Sequence, residues 1–249
     1  MKAIIEYNSR KIQIDVSKPI DISIAIDGTK ENINAWYTGD PKIFPESYDG
    51  EVIKVSEGAV VNFNNIHFNP HSHITHTECV GHITEEVHSV NQNLKHYFFV
   101  AEVVTVAPES RGEDFVISEK QLKTSLRNKK RDAIVIRTLP NLSDKKKMRY
   151  SNTNPPYLLE EAAIYLREKG IKHVLIDLPS LDKEKDEGKL LSHNAFWNTS
   201  GKVRMDATIT EFIYVPNTVE DGEYLLNLMI APFENDATPS KPILYKIIK

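Results

Sequence analysis

Two short runs rich in β-branched residues bracket a segment of helical period, and no feature of the chain constrains its fold more. Ala133–Thr138 reads AIVIRT and His173–Leu178 reads HVLIDL. Runs of this length and composition are strands of the buried type. Between them, Pro155-Pro156 introduces Leu158, Leu159, Ala162, Ala163 and Leu166 at helical spacing, and Gly170 stands where a C-terminal cap belongs. A strand, a helix and a second strand in this order form one supersecondary unit. Ser118 and Gln121 have the spacing of a capping box, which opens a further helix expected to reach Lys129.

The two ends of the chain read as β structure. Ala3–Tyr7 and Lys11–Val16 flank a turn at Asn8-Ser9-Arg10, and Asp21–Ile26 places Ile22, Ile24 and Ile26 on one face. Val52–Val55 and Ala59–Phe63 are expected as strands, and His96–Val106 carries the strongest strand signal. The tail offers strands centred on Phe212, Leu226 and Leu244. The expected fold class is α/β: one domain over residues 1–249 with a mixed sheet, β-rich at both ends, and helices packed on it.

Composition narrows the function classes. A formal net charge of −4 argues against a general nucleic-acid binder. The basic runs Lys123–Arg131 and Lys145–Arg149 read as a solvated helix face and a loop. A single cysteine, Cys79, excludes an internal disulfide framework and suits a reducing compartment. The first residues reach an acidic side chain before a signal-peptide apolar region forms, and no run is long enough to span a bilayer. A cytoplasmic location and no membrane contact are the expectation.

The histidines are distributed unevenly. Seven of the nine lie between His67 and His96. Clustered imidazoles bring polar nitrogens that each need a partner, so they add nothing to an apolar core. Within this stretch, His76 and Glu78 are two apart and share one face of an extended segment, and His82 follows beyond Gly81. Imidazole nitrogen and carboxylate oxygen are the usual ligands of zinc and similar ions. The pair His82 and His88 is spaced too widely for the helical zinc-protease arrangement, which needs histidines one turn apart.

At these residues the sequence resembles the cyclase or kynurenine-formamidase-like metal-dependent hydrolases, whose motif runs His-x-Gly-Thr-His-x-Asp-x-Pro-x-His. Thr75-His76-Thr77-Glu78, with His82 beyond, carries the resemblance. It implies that His76 is a metal ligand, Glu78 the carboxylate ligand that bridges two ions, and His82 the general acid/base. Glu78 replaces the family aspartate, Ile74 stands at the glycine, and Gly81 lies near the proline position. Ser72 falls where the first histidine belongs, leaving His71 and His73 as the available imidazoles. We take His71 and assume a one-residue bulge.

The resemblance extends from about Asp21 to the C-terminus. It implies a late histidine and glutamate in the metal site, for which His193 and Glu211 are the candidates. Their plainer readings are a loop histidine and a strand-edge carboxylate. Trp36, in Trp36-Tyr37-Thr38-Gly39-Asp40-Pro41, would form an aromatic wall for the substrate or simply cover the core edge. The family's swivelling β/α fold, a homo-oligomer (dimer or tetramer), and one or two divalent ions, zinc or else manganese, are implied as well. The expected activity is hydrolysis of an amide, formamide or cyclic amide/ester by metal-activated water. The alternatives are a metal-dependent lyase or dehydratase, and a non-catalytic binding protein with a degraded site.

Overall fold

The computed structural model describes residues 1–248. Its main sheet has ten strands: β1 (Lys2–Tyr7), β2 (Arg10–Asp15), β3 (Ile20–Asp21), β4 (His76–Glu78), β5 (Phe98–Val106), β6 (Ala133–Thr138), β7 (His173–Ile176), β8 (Thr208–Glu211), β9 (Gly222–Ile230) and β10 (Ala237–Ile248). The spatial order is β1-β2-β10-β9-β5-β6-β7-β8-β4, with β3 beside β10. Because β4 also pairs with the start of β10, the path curves back on itself as a partial barrel. Strands β5, β6, β7 and β8 are mutually parallel, whereas β4 runs antiparallel to β8 and β9 antiparallel to β5. This is the mixed-sheet α/β fold that the sequence implies.

The helices are α1 (Pro70–His73), α2 (Val90–Asn93), α3 (Glu119–Leu126), α4 (Glu160–Glu168) and α5 (Leu191–Trp197). Residues Ile134, Ile136, Val174 and Ile176 pack outward against Leu122 and Leu126 of α3, Leu166 of α4, and Phe196 and Trp197 of α5. Their neighbours Ala133, Val135 and Leu175 face the opposite side, with Val103, Leu226 and Leu244. Burial on both faces explains why these strands are apolar without alternation. No helix among the described residues is long and apolar enough to cross a membrane.

Several local expectations change. The N-terminal hairpin forms, and Asn8 (φ 45°) and Ser9 (φ 62°) supply the two left-handed positions of its tight turn. Ala59–Phe63 is not a strand: the pairing segment is Asn64–His67, and Val60 is 95% exposed. Val55–Glu57 forms a short 3-10 turn. Within Asp21–Ile26, only Asp21 belongs to a strand, and Ser23 makes a single bridge to Ile213, although Ile22 and Ile24 are buried. Helix α3 stops at Leu126, because Arg127 (φ 49°) leaves the helical region. Helix α4 begins at Glu160, and Leu158 instead pairs in parallel with Ile117.

Candidate metal centre

Register brings the central carboxylates and imidazoles together. In β4, His76 and Glu78 point to one face, and both are completely buried. Glu211, at the end of β8, lies opposite His76 in the ladder. On the other edge of β4, Glu78 pairs with Ala237 of β10, which brings Asp236 to the same rim. Asp236 was not singled out in the sequence, where it sits in a turn with no pattern of its own.

His71 arrives on α1 rather than on a bulge. This single helical turn starts at Pro70, and the Asn69 side chain accepts from the His71 backbone N–H at 2.9 Å. The turn sends the neighbouring imidazoles to different places. His71 Nδ1 lies 3.1 Å from Glu78 Oε2, and its Nε2 lies 2.9 Å from Asp236 Oδ2. His73 points away: its Nε2 donates to Gly39 O at 2.8 Å, while its Nδ1 accepts from the Asn69 N–H at 2.9 Å.

His193 belongs to α5, not to a loop. Asp182 holds it from both ends, accepting from the His193 backbone N–H at 3.1 Å and lying 2.5 Å from its Nδ1. Its Nε2 then reaches Glu78 Oε1 at 3.1 Å and stands 3.7 Å from Glu211 Oε1. Glu211 Oε1 also accepts from the Leu181 N–H at 3.1 Å. His82 ends a 3-10 turn (Val80–His82) and is the most open of the imidazoles, with 32% of its side chain exposed. Its ring stacks on that of His71 with centroids 4.2 Å apart.

Three overlapping sets of atoms, His71–His82–Asp236, His71–His76–Glu78 and Glu78–His82–His193, each lie within 4.8 Å of one another. Burial opposes charge on His71, yet the Asp236 and Glu78 carboxylates outweigh it and push the imidazole up to about 10. Burial likewise opposes charge on His193, but Asp182 and Glu78 hold it well above the usual imidazole range. Burial would also raise Glu78; His82, His193 and His71 bring it well below the ordinary carboxylate range instead.

The donor set fits a divalent ion. His76 Nδ1 donates to Ile74 O at 3.0 Å, so in the neutral ring its Nε2 carries a lone pair. That Nε2 is buried without a hydrogen bond, 3.5 Å from Glu211 Oε2 and 4.0 Å from Glu78 Oε2, whose other neighbour is His71 Nδ1 at 3.1 Å. A buried acceptor left unpaired beside carboxylates is costly unless a cation lies near it. Cys79 is not part of the set: its buried Sγ donates to His88 O at 3.2 Å, and burial pushes the thiol up.

A cavity of about 450 Å³ opens over this centre, lined by Trp36, Asn69, His71, His82, Ser180, Leu190, His193 and Glu211 among others. Trp36 and Tyr37 adopt left-handed backbone conformations (φ 59° and 57°), and Trp36 Nε1 donates to His71 O at 3.1 Å. Tyr37 OH donates to Glu184 Oε1 at 2.6 Å, tying this loop to the charged loop that begins at Asp182. Of the sequence-expected residues, Trp36, His71, His82, His193 and Glu211 line this cavity, and His76 and Glu78 lie fully buried against them. His67 and His96 are exposed, away from this group.

Comparison with known proteins agrees with this architecture. A family model named Cyclase, described as "Putative cyclase", matches residues 14–183. No curated protein sequence matches significantly. Among solved structures, an isatin hydrolase bound to the product analogue thioisatinate has a TM-score of 0.65 at 14% identity, covering 93% of each chain. Isatin hydrolase A from Labrenzia aggregata, bound to benzyl benzoate, gives a TM-score of 0.63 at 15% identity, covering 92% of this chain and 93% of that one. A predicted metal-dependent hydrolase from Bacillus stearothermophilus gives 0.64 at 16% identity, over 92% and 98%. The chain belongs to the Cyclase family, as a member divergent from the isatin hydrolases whose fold it shares.

Proposed function

We propose that this protein is a metal-dependent hydrolase acting on an amide carbon–nitrogen bond, either in a formamide or in a ring. The observation that carries the reading is the convergence of His71, His76, Glu78, His82 and His193 donor atoms, with His76 Nε2 buried and without a hydrogen bond, beside a cavity lined by His71, His82, His193 and Glu211. His71, His76, Glu78, His193 and Glu211 would hold one or two divalent ions, with zinc the first choice and manganese the second. A bound ion supplies Lewis acidity to a carbonyl and lowers the pKa of water toward neutrality.

The side chains then have separate tasks. His76 and His193 each present one nitrogen inward, because Ile74 O and Asp182 hold the other. Glu78 reaches toward His71, His82 and His193 at once, which suits a bridging role. His82, partly open to the cavity, takes a proton from the attacking water and returns it to the leaving nitrogen. Trp36 forms a flat wall suited to a planar substrate group. The fold shared with isatin hydrolases supports including cyclic amides in the substrate search.

The chain is read as one functional domain over residues 1–249, cytoplasmic and assembled as a dimer or tetramer. The deciding experiment combines metal analysis of protein purified without chelator with a screen of formamides, cyclic amides and lactones. We expect at least one ion per chain and incorporation of solvent oxygen into an acid product. Less than one ion per chain, with no gain on reconstitution, would favour a binding protein. Turnover without oxygen incorporation would favour a lyase.

A further inference from the structure

We infer that Asp236 is a positioning residue that fixes which nitrogen of His82 faces the reaction centre. The inference rests on the reading of His82 as proton shuttle and extends it to a carboxylate outside the ligand set. Asp236 is held by backbone at the rim: its carbonyl accepts from the Cys79 N–H at 3.0 Å, next to the Glu78–Ala237 pairing. Its side chain therefore enters the site from β10, opposite the β4 residues.

A single oxygen, Asp236 Oδ2, faces two imidazoles. It lies 2.9 Å from His71 Nε2 and 3.3 Å from His82 Nδ1. An ionised carboxylate only accepts, so each of these nitrogens must carry a proton to make its bond. In neutral His82 the proton then sits on Nδ1, and Nε2 is the free base. That Nε2 is the nitrogen directed inward, 3.9 Å from Glu78 Oε2. With Nδ1 unheld, the proton would distribute over both nitrogens, and the partly exposed ring would lose its main polar restraint. The stacked His71 ring limits tilt but does not choose between the nitrogens.

The same oxygen orders His71, so one carboxylate sets the orientation of a ligand and of the shuttle together. Carboxylates behind metal-bound imidazoles commonly act in this way, and their loss lowers activity by about 10–100-fold. Loss of Asp236 would thus reduce the rate, although Asp236 does not belong to the ligands that retain the ion.

The test uses zinc-loaded, full-length protein labelled with nitrogen-15 at histidine. Nuclear magnetic resonance reads the protonated nitrogen of His82 in wild type, Asp236→Ala and Asp236→Asn. We expect the proton on Nδ1 in wild type and a shift toward Nε2 in Asp236→Ala. Partial recovery is expected in Asp236→Asn, which keeps one acceptor. Zinc content should stay at the wild-type value while kcat drops by about 10–100-fold, and Asp236→Ala should cost less in a His82→Ala background than in wild type. A wild-type proton on Nε2, an unchanged tautomer in Asp236→Ala, or loss of zinc from both variants would overturn the inference. If no amide is hydrolysed by any form, the proposed function fails, yet the tautomer measurement still decides the role of Asp236.

Discussion

His76 and Glu211 are register partners across the β4–β8 ladder, which places His76 Nε2 3.5 Å from Glu211 Oε2. Strand pairing, rather than a flexible loop, sets this distance. The ladder is further fixed by the Thr77 and Thr210 hydroxyls, which share a 2.8 Å hydrogen bond behind the site. The centre is therefore as rigid as the sheet edge that carries it.

This rigidity separates ligand from shuttle in a mutational test. His76→Ala removes an inward nitrogen from a buried floor and should abolish retention of a stoichiometric ion. His82→Ala trims a partly exposed ring at the mouth and should keep the ion while losing at least 100-fold in turnover, a general acid/base contribution of about 10²–10⁴. Elemental analysis and steady-state kinetics on both variants check the pair. Equal metal content and equal rates in the two would break the division of roles.

Asp182 offers a second test because it acts from behind His193. One oxygen accepts from the Ser192 N–H at 2.7 Å, and the other holds His193 at both its backbone and its ring. Asp182→Asn cannot accept from both His193 groups with the same strength. Metal affinity should weaken by about 10–100-fold, measurable by competition with a chromophoric chelator. Wild-type affinity would mean that helix packing alone orients the ring.

The same aspartate shows why the site was only partly legible in the sequence. Helix α5 starts after Leu190 in a left-handed conformation (φ 45°), and its first free N–H groups are satisfied by Asp182 from far upstream. A cap that is not local leaves no local signal, so His193 looked like a loop residue. Strand β4 has three residues, too few to show a period, and was found only through its ligand types. The buried strands β5, β6 and β7 were legible because burial on both faces forces apolar composition. Val60, Val61 and Phe63 misled for the converse reason: β-branched and aromatic residues on an exposed arm imitate a strand.

Lys145 neutralises a buried carboxylate. Its Nζ donates to Asp177 Oδ2, Thr138 O and Thr138 Oγ1, each at 2.7 Å. Lys145→Met would leave Asp177 buried without its cation and should destabilise the fold by about 3–5 kcal/mol at neutral pH. Burial already raises Asp177 above the usual carboxylate range. Its protonated form is thus the one that folding favours, and the loss should shrink as pH falls toward the unfolded value. Denaturant unfolding of both proteins at pH 8 and pH 5 checks the sign: a larger penalty at pH 5 contradicts the account.

His173 sets an acid limit on stability. It lies in β7, its Nδ1 2.9 Å from Thr208 Oγ1 and its ring centroid 3.9 Å from that of Phe99. Burial, helped by the nearby Lys172 charge, pushes this imidazole down to about 3. The unfolded chain binds the proton near pH 6.5 and the folded chain does not, so the contribution is complete above about 6.5 and is lost as pH falls toward 3. Within that window the residue should remove up to about 1.4 kcal/mol per pH unit. His173→Gln keeps a polar partner for Thr208 and lacks the titration, so its stability should fall less steeply in acid than that of wild type. Parallel urea melts at pH 7, 6, 5 and 4 give the two slopes, and identical slopes would show that His173 is free to protonate in the folded protein.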